Sequence, residues 1–309
     1  MVSTKQVIDR ASILKSGQDF VKKVKEEVAG IPSKCILNFD QSGFNYDFKP
    51  TRTLSEKGEK STFGIMANLN AGTHSYTIMP INTMDGRLIG KLLICLKEPN
   101  GKLGPQVSKN LVIPENVYVV CSKSGKLDKN LMKKWASTVL REVCENEDQI
   151  VLIYDKWSGQ RDEAIYSSIS NITKRFEIPE HTTDQVQPLD RYFFRQYKLL
   201  ARAVRNRVML DDINYVFHHR QNILNLNALI FNQLQSPKFS PMLKYSWYAC
   251  NYVDERAGKF DNVLELLFNT GSELCEEDGC STVSFIRCSH CSQLLCCQHF
   301  LNFHFHSCN

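Results

Sequence analysis

Three aspartates stand where carboxylates seldom sit without a task. Asp155 ends the apolar, β-branched run Gln149-Ile-Val-Leu-Ile-Tyr-Asp155 and precedes Lys156-Trp-Ser-Gly159, whose Ser and Gly are turn formers. Asp40 repeats the pattern in Lys34-Cys-Ile-Leu-Asn-Phe-Asp40-Gln-Ser-Gly43. A buried strand that runs into an acid must deliver the charge to water, a partner or a metal, because an isolated carboxylate is costly in an apolar interior. Asp190, the third, opens a helix-like run behind Pro188, where proline suits a first helical turn. Two acids at strand ends and one on a following helix can converge on one corner. Such a corner offers the charged oxygens that a pair of Mg²⁺ ions needs for in-line attack at a phosphate.

A second set of ligand-type residues closes the chain. It reads Cys275-x4-Cys280, Cys288-x2-Cys291, Cys296-Cys297-x-His299 and His304-x-His306-x-Cys308. Eleven Cys and His fall between 275 and 309, and two tetrahedral Zn²⁺ ions need eight ligands. The expected set is Cys275, Cys280, Cys288, Cys291, Cys296, His299, His304 and Cys308. The choices between Cys296 and Cys297, and between His304 and His306, stay open. Pairing the first and third pairs against the second and fourth would make a cross-brace, although spacing does not fix the pairing. Met1 to Gly17 holds no continuous apolar core, so no signal peptide is expected. In an intracellular protein such a cluster points to metal rather than disulfides. The segment has few apolar side chains, so it is expected to need metal for its own folding and to be dispensable for the rest.

With these residues in view, the chain resembles the mariner/pogo-type DDE transposases. The resemblance rests on Asn38-Phe-Asp-Gln-Ser-Gly-Phe44, Ile153-Tyr-Asp155 and Thr182-Thr-Asp-Gln-Val-Gln-Pro-Leu-Asp190, with Arg52-Thr-Leu-Ser-Glu-Lys-Gly58 in support. The 34 residues between Asp155 and Asp190 are a spacing typical of mariner elements. The likeness covers Lys34 to Arg207 well and reaches more loosely to about Asp254. It implies an RNase H-like domain that hydrolyses a DNA phosphodiester and passes the freed 3′-OH to target DNA. It also implies two Mg²⁺ or Mn²⁺ ions about 3.5–4 Å apart on Asp40, Asp155 and Asp190, DNA as partner, and a nuclear location. Two positions depart from the pattern. Lys156-Trp-Ser-Gly-Gln160 stands where the group commonly has Asn-Ala-Pro-Ser-His, and Asp184 replaces an uncharged residue, which makes it the alternative third acid. The group's helix-turn-helix units precede the first acid. Only 39 residues precede Asp40, so a truncated, incomplete or repurposed relative is expected.

Two other readings remain open. One is a catalytically idle protein that binds DNA or chromatin; the other is an adaptor whose zinc module binds proteins. Homodimerisation is left open with them. A metal-dependent nicking assay separates the enzyme from both, and a DNA-binding assay separates one from the other.

The elements that must position these residues follow from patterning. With 42% apolar against 23% charged residues, a wholly disordered chain is excluded. Runs such as Leu92 to Leu96 are too short to span a bilayer. Residues 4 to 28 suggest an amphipathic helix. Thr62 to Asn70, Thr73 to Met84, Leu88 to Leu96 and Val117 to Cys121 read as strands, with Lys49 to Ser61 a loop and Asp85-Gly86 a hairpin turn. Asp128 should cap a helix to Cys144, and a further helix is expected from about Asp162 to Phe176. The helix behind Pro188 carries Arg191, Arg195, Lys198, Arg202 and Arg205, expected to contact DNA phosphates. The expected architecture is α/β. An N-terminal helix (1–33) leads to an RNase H-like domain with a mixed sheet (34–207), a helical extension (208–270) and a zinc-binding module (271–309). The family's fold entered that ordering; periodicity alone supports one α/β domain.

Overall fold

The sheet is built outward from one short, wholly buried strand. β1 (Ile36–Phe39) continues past Asp40 into β2 (Ser42–Asn45), and both pair antiparallel with β3 (Ser75–Thr83). β4 (Leu88–Lys97) returns antiparallel to β3, and β5 (Val117–Ser122) lies parallel on its far side. On the other flank β6 (Ile150–Asp155) runs parallel to β1, and β7 (Ile172–Ile178) parallel to β6. The seven strands follow the order β5-β4-β3-β1-β6-β7, with β2 on β3. An antiparallel meander leading through its first strand into parallel strands is the RNase H-like arrangement, and the expected fold is the observed one. The computed structural model describes residues 10–45, 75–211 and 215–301. Outside them lie the start of the N-terminal helix, Arg52 to Gly58, the strand expected over Thr62 to Asn70, and His304, His306 and Cys308.

Local chemistry explains the joints. At the β3–β4 turn Gly86 has φ +83°, and a Cβ there would meet the Ser240 carbonyl at 2.5 Å, so only glycine fits. Helices α1 (Arg10–Glu27) and α2 (Pro105–Asn110) flank the sheet, and α3 (Lys129–Trp135) begins at Asp128, which accepts from the Leu131 N–H at 2.9 Å. A wider turn at Ala136–Leu140, where Ser137 and Thr138 bond back to the Lys134 carbonyl, joins α3 to α4 (Arg141–Cys144).

The helix expected from Asp162 to Phe176 is absent. One turn, Glu163–Ile165, is capped by Asp162, and the chain then becomes β7. Asn171 bonds the carbonyls of Cys144 and Glu147 and so stops the segment beside β6, where pairing outweighs the local pattern.

Leu131, Met132, Trp135 and Val139 fill one face of the sheet together with Phe39, Leu93, Leu152 and Tyr154. The opposite face is covered by α1, α5 (Thr183–Val186), α6 (Phe194–Asp211), α7 (Arg220–Leu234) and α8 (Ser240–Tyr248). α9 (Val263–Phe268) starts with a full capping box between Asn262 and Glu265. The Cys-rich segment follows as a small hairpin, β8 (Ile286–Arg287) and β9 (Leu294–Leu295), and then α10 (Cys297–Leu301). Its Phe285, Ile286, Leu295 and Phe300 belong to the same apolar cluster as Tyr197, Val204 and Ile230 of α6 and α7. A buried polar seam joins it there. The Ser289 N–H donates to Gln233 Oε1 at 2.7 Å, and the Ser236 hydroxyl donates to the Ser289 carbonyl at 2.7 Å. Through Phe285, Ile286, Ser289, Leu295 and Phe300 the Cys-rich segment packs on the main core, although its patterning suggested a module apart, while the turn from Glu276 to Gly279 stays exposed.

Candidate active site and a Cys/His centre

The register of β1 against β6 sets Asn38 opposite Ile153, so two residues on Asp40 lies level with Asp155. Side chains alternate along a strand. Phe39 and Tyr154 stack on the α3 side, 5.5 Å apart, which turns Asp40 and Asp155 toward α5 and α6. Asp190 arrives from that side, in the wide turn Leu189–Phe193 that opens α6 behind Pro188. The sequence placed the three acids on three elements, and the fold brings them to one corner.

Their electrostatics show the crowding. Asp40 is 9% exposed. Burial raises its pKa well above the usual carboxylate range, the Asp190 and Asp155 charges add to this, and the Gln41 N–H and the Gln187 amide only partly offset it. Asp190 is raised as well, first by desolvation of its carboxyl and then by Asp155, with Lys198 opposing. Asp40 and Asp190 stand near enough to share a hydrogen bond. Asp190 and Asp184 are both exposed as whole residues, but only Asp190 acts on Asp40, and Asp184 is not among the charges acting on either acid, so the electrostatics group Asp190 with Asp40 and Asp155.

Several supporting groups had no assigned role in the sequence reading. Asp155 Oδ1 accepts from the Thr183 hydroxyl and the Lys156 N–H, both at 3.0 Å, and Gln160 Nε2 donates to the Asp155 carbonyl at 2.6 Å. Asn38 Nδ2 donates to the Ile153 carbonyl at 2.9 Å and to Gln187 Oε1 at 2.6 Å. With Gln187 Oε1 taken by Asn38, its amide N–H is the group that acts on Asp40. Asn38, Thr183 and Gln187 all lie within the motif blocks, so position was a signal even though their partners were invisible. Hard oxygen donors, mutual repulsion and too few fixed cations are the features of a divalent-cation corner.

The basic helix divides. Arg191, Arg195 and Arg202 are exposed, and Lys198 is half-buried with Nζ 5.3 Å from the centre of the Phe44 ring. Arg205 corrects the expectation. It is 7% exposed, with its guanidinium 4.3 Å over Phe217, so it packs inside instead of facing phosphate.

In the Cys-rich segment Cys275, Cys280, Cys296 and His299 place their ligand atoms within 4.8 Å of one another. His299 Nδ1 lies 3.3 Å from Cys275 Sγ and 3.4 Å from Cys296 Sγ. The first and third pairs meet, and Cys296 lies in the group, while Cys297 starts α10. The Thr282 N–H and hydroxyl hold the Cys280 thiol down to about 7, while burial pushes Cys296 up. Three thiols and an imidazole at this separation suit tetrahedral zinc. Cys288 is buried, its Sγ 3.7 Å from Gln233 Nε2, and Cys291 is exposed; their expected partners His304 and Cys308 lie outside the described residues.

Comparison with known proteins agrees with this layout. Residues 91–237 match the DDE superfamily endonuclease model, and residues 247–308 match the Tc5 transposase C-terminal domain. The first span contains Asp155 and Asp190; Asp40 precedes it and joins them through the sheet. The second begins upstream of the boundary expected at Asn269 to Gly271. No curated protein matches the chain. Among solved structures, a Mos1 transposase paired-end complex with the left transposon end has TM-score 0.43 and 9% identity, covering 84% of this chain and 66% of that one. A Mos1 mariner paired-end complex with Mn scores 0.43 at 9% identity, covering 84% and 69%. The Mos1 catalytic domain with Raltegravir and Mn scores 0.39 at 8%, covering 83% and all of that chain. The chain thus spans about two thirds of the Mos1 chains in those complexes. Among the described residues no helix is long and apolar enough to cross a membrane. Two stretches of the chain thus carry family likenesses: residues 91–237, which hold Asp155 and Asp190, are similar to the DDE superfamily endonucleases, and residues 247–308, which hold the Cys/His group, are similar to the Tc5 transposase C-terminal domain.

Proposed function

We propose that the protein is a transposase-type, divalent-metal-dependent DNA endonuclease and strand transferase acting in the nucleus. Asp40, Asp155 and Asp190 would hold Mg²⁺ or Mn²⁺, and bound ions would supply charge neutralisation and a nucleophile at neutral pH. The observation that carries this reading is the convergence of three carboxylates, two of them with raised pKa, on one wall of an RNase H-like sheet. The chain's own groups prepare that wall. Thr183 and the Lys156 N–H fix the Asp155 carboxylate, while the Asn38–Gln187 amide pair steadies the ground beneath Asp40. Asp40 and Asp190 give up any shared proton on binding a cation, so the site loads better as pH rises. Arg191, Arg195, Lys198 and Arg202 line the approach and take phosphate oxygens. Cys275, Cys280, Cys296 and His299 would hold a Zn²⁺ ion whose part would be structural. A second zinc would use Cys288 and Cys291 with His304 and Cys308.

The test is nicking of supercoiled DNA by purified protein with Mg²⁺, with Mn²⁺ and without either. Metal-dependent nicking by the native chain that is absent from Asp155→Asn supports the reading; equal nicking by both overturns it.

A further inference from the structure

A second basic surface lies apart from α6. Between Lys97 and Lys134 the chain holds eight lysines against Glu98, Glu115 and Asp128, an excess equal to the +5 of the whole protein. The three acids of this stretch leave the ridge charged, and Asp162 from outside it offsets Lys129. Glu98 is buried against Arg220, Asp128 caps α3, and Glu115 precedes β5 at the opposite end of the sheet. Lys102, Lys123, Lys126, Lys133 and Lys134 are exposed.

Topology carries these lysines to the functional end of the molecule. β1 and β4 both oppose β3, β5 follows β4, and β6 follows β1, so all four point their carboxyl ends the same way. The loops after β4 and β5 meet there. A Cβ on Gly101 would lie 3.7 Å from the Lys123 nitrogen, and one on Gly125 would lie 3.2 Å from Lys97 Cβ. From those loops the ridge returns along α3, where Lys129 pairs with Asp162 in the loop that leaves Asp155, and Lys133 acts on the same carboxylate. Counting register and strand spacing, Lys97 stands about 15 Å along the sheet and about 10 Å across it from Asp40. That separation of about 18 Å is roughly half of one turn of B-DNA.

We propose that duplex DNA flanking the scissile phosphate lies on this lysine ridge, which grips the backbone without reading base sequence. The proposal rests on the nuclease reading of the aspartate corner. All eight positive charges are lysines. Lysine is a compact point charge lacking the planar fork of arginine, so it serves phosphate position more than base identity.

The experiment measures affinity of the full chain for a 30-bp duplex across a salt series. The combined variant Lys102→Gln, Lys123→Gln, Lys126→Gln, Lys133→Gln alters only exposed side chains, and its melting temperature is checked against the native chain. Four lost phosphate contacts should flatten the slope of log K against log salt by about 3–4. The native slope should fall by the same amount when a duplex carrying a preformed nick is cut back to about 5 bp beyond that nick on one side, while the ridge variant ignores the cut. An Arg195→Gln, Arg202→Gln pair should lose slope on both duplexes. Equal slopes for native and ridge variant on the long duplex overturn the proposal. So does loss of binding to phosphatidylserine vesicles with DNA binding unchanged. Failure of the catalytic reading looks different: no metal-dependent nicking, whatever the slopes.

Discussion

At the aspartate corner three like charges come from β1, β6 and the turn before α6; in the Cys-rich segment three thiols and an imidazole come from neighbouring turns. The second group has closed to within 4.8 Å, the one such group of His, Cys, Asp or Glu among the described residues; Asp40 and Asp190 are within hydrogen-bond reach, but the three aspartates do not all come that close together. Thiols can keep their protons, and an imidazole can bond to two of them, so the Cys/His group draws together unaided. Carboxylates repel, and here β1, β6 and the turn before α6 hold them together, so their conflict stays unrelieved and shows as raised pKa values at Asp40 and Asp190. One group relieves its own strain, whereas the other retains it.

The strongest way to break that contrast is Asp155→Asn, expected to cut metal-dependent nicking by about 10³–10⁴-fold with the circular-dichroism spectrum unchanged. Next is zinc removal. Patterning alone suggests a core indifferent to it, but the buried Gln233–Ser289 seam and the shared apolar cluster tie the segment to α6 and α7. Cys275→Ser with Cys296→Ser should therefore lower the melting temperature of the whole chain. If about 3 kcal/mol is lost, the shift is about 5 °C for a chain of this length. An unchanged melting curve, or native protein free of zinc by elemental analysis, would restore the independent module.

Gln187→Leu should raise the Mg²⁺ concentration for half-maximal nicking by about 10-fold, since partners behind a ligand typically matter at that scale. A drop in stability with an unaltered metal titration would reduce Gln187 to packing.

The smallest effect is a gain. Burial and like charge raise Asp40 above its ordinary 3.8, so the native state binds this proton more tightly than the unfolded chain. Its contribution is intact below 3.8 and is lost as pH rises through the raised value. Asp40→Asn should then raise the melting temperature near pH 7.5 by about 2–4 °C and by less at pH 4. A fall at both pH values would mean that the corner is not strained.

Much of this corner can be read from residue types. β-branched runs stopping at Asp40 and Asp155, and proline ahead of Asp190, carry the strand ends and the helix start. The Cys/His spacing carries the ligands, and the structure adds which pairs meet. Long-range covering is what spacing cannot encode. Helical periodicity put Arg205 on the basic face, yet Phe217 from beyond the helix lies against its guanidinium. The same limit applied to β7, whose helix-compatible sequence is recruited by β6, and to the amide pair of Asn38 and Gln187, which are neighbours only in space.

The seam between Gln233 and Ser289 also bears on synthesis. α7 is complete at Leu234, but residues that cover it, such as Phe285 and Phe300, leave the ribosome later. At about 5–20 residues per second the nascent chain shows that greasy flank for roughly 3–13 s. During translation this protein should therefore be a client of holding chaperones, and ribosomes stalled shortly after Leu234 should display its most aggregation-prone form.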